Sequence, residues 1–218
     1  MAKNSYAIFG LGSFGSKIAI ELSKAGHNVL ACDVNPARVE ELKDKVTQAV
    51  IADASNQETI KELNVSKFDA VILSMSSYFE KQILALTFLK QENVRKVLAK
   101  ANNTVQEHIL YRLGADEVIQ PEQDVAYRLS RRLSLSNIAD MFDFKGSSIA
   151  EVKVPRHLAG KNLKELDLRG KHQITVLLLR KEGSDTEEQT GPATLLAPGD
   201  HLTVFGNSQS IIELFQEK

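Results

Sequence analysis

The chain has 218 residues, 43% of them hydrophobic, enough apolar material for one large domain or two small ones, which excludes disorder as the dominant state. Lys and Arg number 27 against 28 Asp and Glu, and the formal charge of -1 gives no electrostatic footprint for wrapping nucleic acid. The one cysteine, Cys32, excludes an internal disulfide and a Cys-based zinc cluster, and the longest strictly aliphatic run, Val176 to Leu179, falls far short of the roughly 20 apolar residues a membrane span needs.

The start, Met1-Ala2-Lys3-Asn4-Ser5, leads directly into a strand-like segment with no recognisable signal, so a reducing cytoplasm is the expected compartment. Short β-branched runs then alternate with helical patterns, and strands are expected at 5–9, 28–33, 48–52, 69–74, 94–101 and 116–119. This alternation predicts an α/β fold, a Rossmann-like doubly wound parallel sheet with helices on both faces. Helix starts are marked by Ser55 with Glu58, Ser77 with Glu80 and Asn103 with Gln106, and helix stops by Gly26 and Gly114.

The first turn carries the strongest motif. Gly10-Leu11-Gly12-Ser13-Phe14-Gly15 follows the first strand and opens the first helix. In that context the first glycine permits a tight turn, the second lets a pyrophosphate approach the backbone, and the third lets helix and strand pack closely. Asp33, at the end of the second strand, is placed to accept both hydroxyls of an adenosine ribose and to repel a 2′-phosphate; Val34 and Asn35 continue that edge. Ligands in open α/β sheets sit beyond the carboxyl ends of the strands, so Asp53-Ala54, Ser74-Met75 and Lys100-Ala101 are expected around the same crevice. Asp53 reads two ways, as an acceptor for an adenine amino group or as turn chemistry before a helix, while Lys100 is expected to reach phosphates.

After Pro121 one long or broken helix is expected from Glu122 to about Lys145, with Ala126, Leu129, Leu133, Ile138, Met141 and Phe142 as its apolar stripe. With no further strand to return to, that stripe calls for a cover, either a second copy of the chain or the C-terminal part. At Gly146-Ser147-Ser148 the composition changes, and residues 146–218 read as a small α+β module: strands at 149–154, 174–180 and 201–205, a short helix at 162–166, a polar stretch at 182–192, and a last helix at 208–215 capped by Asn207. The expected division is therefore 1–122, 123–145 and 146–218. A catalytic acid or base is not evident: the five histidines show no paired spacing, and no Tyr-x-x-x-Lys pair exists, since Tyr127 is followed four residues later by Arg131.

These motifs, together with Gln120-Pro121-Glu122-Gln123-Asp124, Leu158-Ala159-Gly160-Lys161, and the run from Gly199 to Gly206, resemble the RCK (regulator of potassium conductance) proteins, specifically the cytosolic subunits of Ktr/Trk-type potassium uptake systems. The resemblance implies a non-enzymatic sensor of ATP and ADP, with NAD or NADH as alternatives. It further implies dimers through the helix after Pro121, built into an octameric ring on the inner face of the cell membrane beneath a potassium transporter subunit. By position Glu122 matches the carboxylate that meets Mg²⁺ or another divalent cation at the γ-phosphate. Ser13 stands where many Ktr relatives carry an Arg that holds that phosphate; Arg38, one turn into the second helix, is a candidate substitute. Arg169, Ile174 and Pro192 fall near the positions at which some relatives bind cyclic di-AMP.

Overall fold

A computed structural model describes residues 3–216, which divide into two compact units between Glu122 and Gln123. The first unit alternates strands and helices in chain order: β1 (Ser5–Phe9), α1 (Ser13–Lys24), β2 (Asn28–Asp33), α2 (Pro36–Leu42), β3 (Gln48–Ile51), α3 (Gln57–Glu62), β4 (Ala70–Leu73), α4 (Phe79–Gln91), β5 (Val97–Lys100), α5 (Thr104–Arg112) and β6 (Glu117–Ile119). All six strands run parallel in the order β3-β2-β1-β4-β5-β6. The order reverses at β1, so a crevice opens over the carboxyl ends of β1 and its neighbours.

Parallel strands flanked by helices are buried on both faces, which is why 29–32 and 70–73 read as unbroken apolar runs. One face packs Phe9, Leu73, Leu86, Leu89 and Leu110 beneath α4 and α5; the other packs Ile8, Ala19, Val39, Leu42 and Ile72 beneath α1 and α2. Leu86 and Leu89 are wholly buried, and truncating either to Ala is expected to cost about 2–5 kcal/mol. The helix starts differ in detail from the sequence reading. Asn103 does cap α5, accepting from the Gln106 N–H at 2.9 Å, but the Gln106 side chain reaches back to the Asn102 N–H rather than to Asn103. Asn56, not Ser55, caps α3, because the Ser55 hydroxyl is taken by Asp53; α4 follows a 3₁₀ turn at Ser76–Tyr78 and has no side-chain cap.

The second unit contains α6, which begins before it and spans Pro121–Ser134, then β7 (Ile138–Phe144), β8 (Ser147–Lys153), α7 (Leu163–Leu166), α8 (Leu168–His172), β9 (Ile174–Arg180), β10 (Glu187–Gln189), β11 (His201–Asn207) and α9 (Ser208–Phe215). Its antiparallel sheet has the order β10-β9-β11-β8-β7, with Val152, Ile174, Leu202, Ile211 and Phe215 at the centre of its core. The expected helix to Lys145 is corrected here: it stops at Ser134, and 138–144 is an edge strand. Lys145 and Gly146, both at positive φ, form the two-residue connection of a hairpin between β7 and β8, and a register shift between Ile138 and Asp140 sends both Ile138 and Met141 into the core. The spacing of these apolar residues therefore mimics a helical stripe.

On α6 itself Leu129 and Leu133 are exposed, Leu133 at 77%. Arg128 pairs with Asp140 at 3.0 Å and lies over the Phe142 ring, and Arg131 pairs with Asp143 at 2.6 Å, so two of the three arginines of this helix are matched by acids of β7. Among the described residues no helix is long and apolar enough to cross a membrane.

Candidate nucleotide cleft

Three glycines shape the turn between β1 and α1, two by close approach of backbone and one by leaving space open. Gly10 has φ +92°, and a Cβ there would lie 2.5 Å from the Ser74 carbonyl oxygen; a Cβ on Gly15 would lie 2.0 Å from the carbonyl oxygen of Gly10. Both positions exclude a side chain by collision with backbone. A Cβ on Gly12, in contrast, would meet nothing within 4 Å. Gly12 is the N-cap of α1 and its residue type makes no side-chain cap, so the first N–H groups of a 12-residue helix face the space above it.

Asp33 is buried to 5% exposure at the end of β2. It accepts hydrogen bonds from the Leu11 N–H at 2.6 Å and the Asn35 N–H at 2.8 Å, and pairs with the Arg38 guanidinium at 3.4 Å. The carboxylate thus ties the glycine turn to the β2 edge. A cleft of about 390 Å³ opens between these groups, lined by Gly10, Gly12, Asp33, Val34 and Asn35 on one side and by Ala54, Ser74 and Met75 on the other. All eight were expected there. Leu11, Gly15 and Ala101 are buried supports instead, and neither Ser13 nor Phe14 lines the cleft.

Arg38, Tyr78 and Lys81 also line the cleft. Lys81 was not singled out from the sequence, although a cation in the first turn of α4 opposes the helix dipole and is a signal that something else holds it. That partner is Asp53, whose Oδ2 lies 2.8 Å from Nζ while Oδ1 accepts from the Ser55 N–H and hydroxyl. Partial burial works to raise the Asp53 carboxyl, but the Lys81 and Ser55 hydrogen bonds outweigh it and hold it below the ordinary carboxylate range. Cys32, in the cleft floor, has its thiol pushed up to about 12 by burial and by the neighbouring Asp33 charge, which removes it from nucleophilic or redox chemistry.

Lys100 and Glu122 form an ion pair with each other, and Lys100 also lies 6.0 Å from the centre of the Phe14 ring. Neither residue lines the cleft. The Lys100 hydrogen bond holds the Glu122 carboxyl below its ordinary range. Among the described residues no cluster of three or more His, Cys, Asp or Glu could hold a metal ion. Glu122 offers one carboxylate, which suits only a cation that arrives already bound to phosphate oxygens and waters. In the second unit Arg169, Ile174 and Pro192 do come together, around a shallow cleft of about 280 Å³. A larger hollow of about 1090 Å³, between Arg156, Lys171 and Glu213, lacks both a glycine turn and parallel strand ends.

The TrkA-N domain model matches residues 6–121 and the TrkA-C domain model matches residues 149–218. The chain is 30% identical over 207 residues to the Ktr system potassium uptake protein A of Bacillus subtilis, covering 94% of this chain and 93% of that one. The chain belongs to the Ktr-type RCK family. The Ktr system potassium uptake protein A of Vibrio alginolyticus is 33% identical over 202 residues, 92% of this Ktr-type chain and 91% of its relative. Among solved structures the GsuK channel superposes with a TM-score of 0.66 at 17% identity, covering 99% of this chain, which spans 40% of the GsuK chain. That likeness concerns the fold. Related GsuK structures are described as bound to NAD and to ADP, and a Shewanella denitrificans Kef C-terminal domain as bound to AMP.

Proposed function

We propose that this Ktr-type protein is a nucleotide-sensing regulatory subunit that assembles as a ring of dimers, an octamer, on a membrane potassium transporter and gates potassium uptake from the cytoplasmic face. The observation that carries the reading is Gly12. Its Cβ position is empty, its backbone sits at the N-terminus of α1, and the buried Asp33 stands beside the same turn at the end of β2, a combination suited to an anionic phosphate with a ribose beside it. ATP and ADP are the proposed ligands. NAD or NADH is the second reading, favoured by the NAD-bound GsuK neighbour.

In this reading the α1 N–H groups hold the phosphates, Asp33 takes the ribose hydroxyls, and Arg38 keeps the Asp33 carboxylate turned into the cleft. Lys100 stands ready to exchange its Glu122 partner for a phosphate, which frees the Glu122 carboxylate for a divalent cation carried by the triphosphate. ATP and ADP then differ in the contacts they make, and only such a difference can shift a regulatory equilibrium. The cation's contribution is neutralisation of phosphate charge. The cleft around Arg169, Ile174 and Pro192 is proposed as a separate cyclic dinucleotide site. A sensor is proposed over an oxidoreductase because the relatives it resembles along nearly its whole length are potassium uptake proteins.

Equilibrium dialysis against ATP, ADP, NAD and NADH, followed by an absorbance assay for turnover and by potassium flux in vesicles carrying a Ktr membrane subunit, tests the proposal. Saturable nucleotide binding without turnover, and flux that changes with the bound nucleotide, is the expected result. Nucleotide turnover with a second substrate, or flux indifferent to the protein, overturns it.

A further inference from the structure

The hollow of about 1090 Å³ in the second unit has no part in the nucleotide reading, and it shares no lining residue with the cleft around Arg169, Ile174 and Pro192. Three elements wall it: the turn at 155–158, closed by the Leu158 N–H on the Pro155 carbonyl at 3.1 Å, the end of α8, and the later turns of α9. Each brings donors. Arg156 and His157 come from the turn, Lys171 and His172 from α8 and Ser210 from α9, against one acid, Glu213, which accepts from the Gln209 amide at 2.8 Å. Neither Arg156 nor Lys171 has a carboxylate partner among the described residues. Cations beside a helix end ordinarily cap its free carbonyls. Here those of α9 are already taken: Ile212 accepts from the Gln216 N–H at 3.0 Å, Leu214 from the His157 ring at 3.1 Å and Phe215 from the Asn137 amide at 3.1 Å. The five residues of α8 are too few to build a dipole that would call for two cations.

We propose that this hollow binds a phosphorylated small molecule, with Arg156 and Lys171 as the residues that hold its phosphate. A guanidinium presents a fork of N–H groups and an ammonium three rotatable donors, and both are suited to phosphate oxygens. Because the donors stand on three separate elements, the group that satisfies them together must carry oxygens in several directions, as a tetrahedral phosphate does and a planar carboxylate does not. Ser210 adds a neutral hydroxyl donor to the same wall. The volume lies at the top of the range of small-molecule sites, about 300–1,000 Å³, and exceeds what a bare phosphate fills, so an organic remainder has room beside Leu214 and Gln173. One short helix then serves two clefts, with Arg169 on one and Lys171 on the other.

Calorimetric titration of the full chain with inorganic pyrophosphate tests this, in a Gly12→Ala background so that the glycine turn does not compete. Saturable binding at one site per chain is expected. Arg156→Ala and Lys171→Ala should each weaken it about threefold to tenfold, and the double change more than about tenfold. Two controls remove the same charge elsewhere in the unit: Lys161→Ala, at an exposed position that lines neither hollow, and Arg169→Ala, in the neighbouring cleft. Both should change affinity less than about twofold. Arg156 and Lys171 are exposed, so melting temperatures should match that of the Gly12→Ala chain. Absence of binding, an affinity unchanged in the double variant, or a loss in Lys161→Ala equal to that in Lys171→Ala would overturn the site. Succinate binding as tightly as pyrophosphate would overturn its assignment to phosphate.

Discussion

Gly12→Ala separates binding from folding more cleanly than any other change in the glycine turn. Its backbone is extended, at φ -69° and ψ -173°, so an alanine adopts it without strain, and the added Cβ touches nothing within 4 Å. Two small effects on stability oppose each other: alanine is a poorer N-cap than glycine by up to about 1 kcal/mol, while replacing glycine lowers unfolded-state entropy by about 0.4–1 kcal/mol. The net change in stability is expected to be under about 1 kcal/mol. Binding is a different matter, because the methyl group occupies the space through which a phosphate reaches the α1 N–H groups. Each charge-assisted hydrogen bond is worth about 1.5–3 kcal/mol, so losing one costs roughly tenfold in affinity or more. Gly15→Ala is the contrasting control, since a Cβ 2.0 Å from the Gly10 carbonyl oxygen forces backbone apart and is expected to cost about 1–3 kcal/mol or more of stability. Thermal unfolding and calorimetric titration with ATP measure both quantities. Unaltered ATP affinity in Gly12→Ala would refute the assignment of this turn as the phosphate site.

Three further outcomes are expected. Glu122→Gln keeps shape but removes charge, so it should weaken ATP binding in the presence of magnesium and barely change ADP binding; equal ATP affinity with and without magnesium in the unmodified protein would refute a cation contact. Leu133→Asp should convert an oligomer to smaller species, seen by light scattering, without unfolding the chain, because Leu133 is 77% exposed within one copy and the charge is penalised only at an interface; a monomeric unmodified protein at micromolar concentration would refute the role of this stripe. Asp200 is buried, and although burial acts to raise its carboxyl, the Lys181 ammonium and the Ala197 and Glu182 N–H groups hold it below the ordinary range. A depressed native value contributes stability above the unfolded pKa of about 3.9 that is lost as pH falls through the native one, so Asp200→Asn should be less stable at pH 7 by roughly 1–2 kcal/mol and show a shallower acid dependence in urea melts; parallel pH profiles would refute this.

The sheet of the first unit was legible because each of its strands is short, apolar and followed by a helix, and the glycine turn because its context is local. Asp33, Ala54, Ser74 and Met75 could be placed from topology alone, since strand ends in such a sheet converge by construction. Lys81 could not, because a lysine on a helix looks the same whether it faces water or an acid from a distant strand; Arg38 was named as a candidate for a phosphate, and it lines the cleft with its guanidinium on Asp33. The strand at 138–144 was misread for a related reason: a register shift in an edge strand moved its inward residues off strict alternation, and the Lys145-Gly146 hairpin was the only local sign of it. The short helix α8 was missed because it is set by left-handed residues at both ends, Asp167 and Gln173, which are neither glycine.

The hydrogen bond from the Leu11 N–H to Asp33 joins the glycine turn to the end of β2 within the chain alone. On the proposed reading, the phosphate and ribose contacts are therefore joined before a nucleotide arrives. Entry should be set by diffusion and charge, with rates that hardly differ from one nucleotide to the next. Residence time is then the quantity in which nucleotides differ, and the proposed sensor reports on a changing nucleotide pool no faster than its tightest occupant departs.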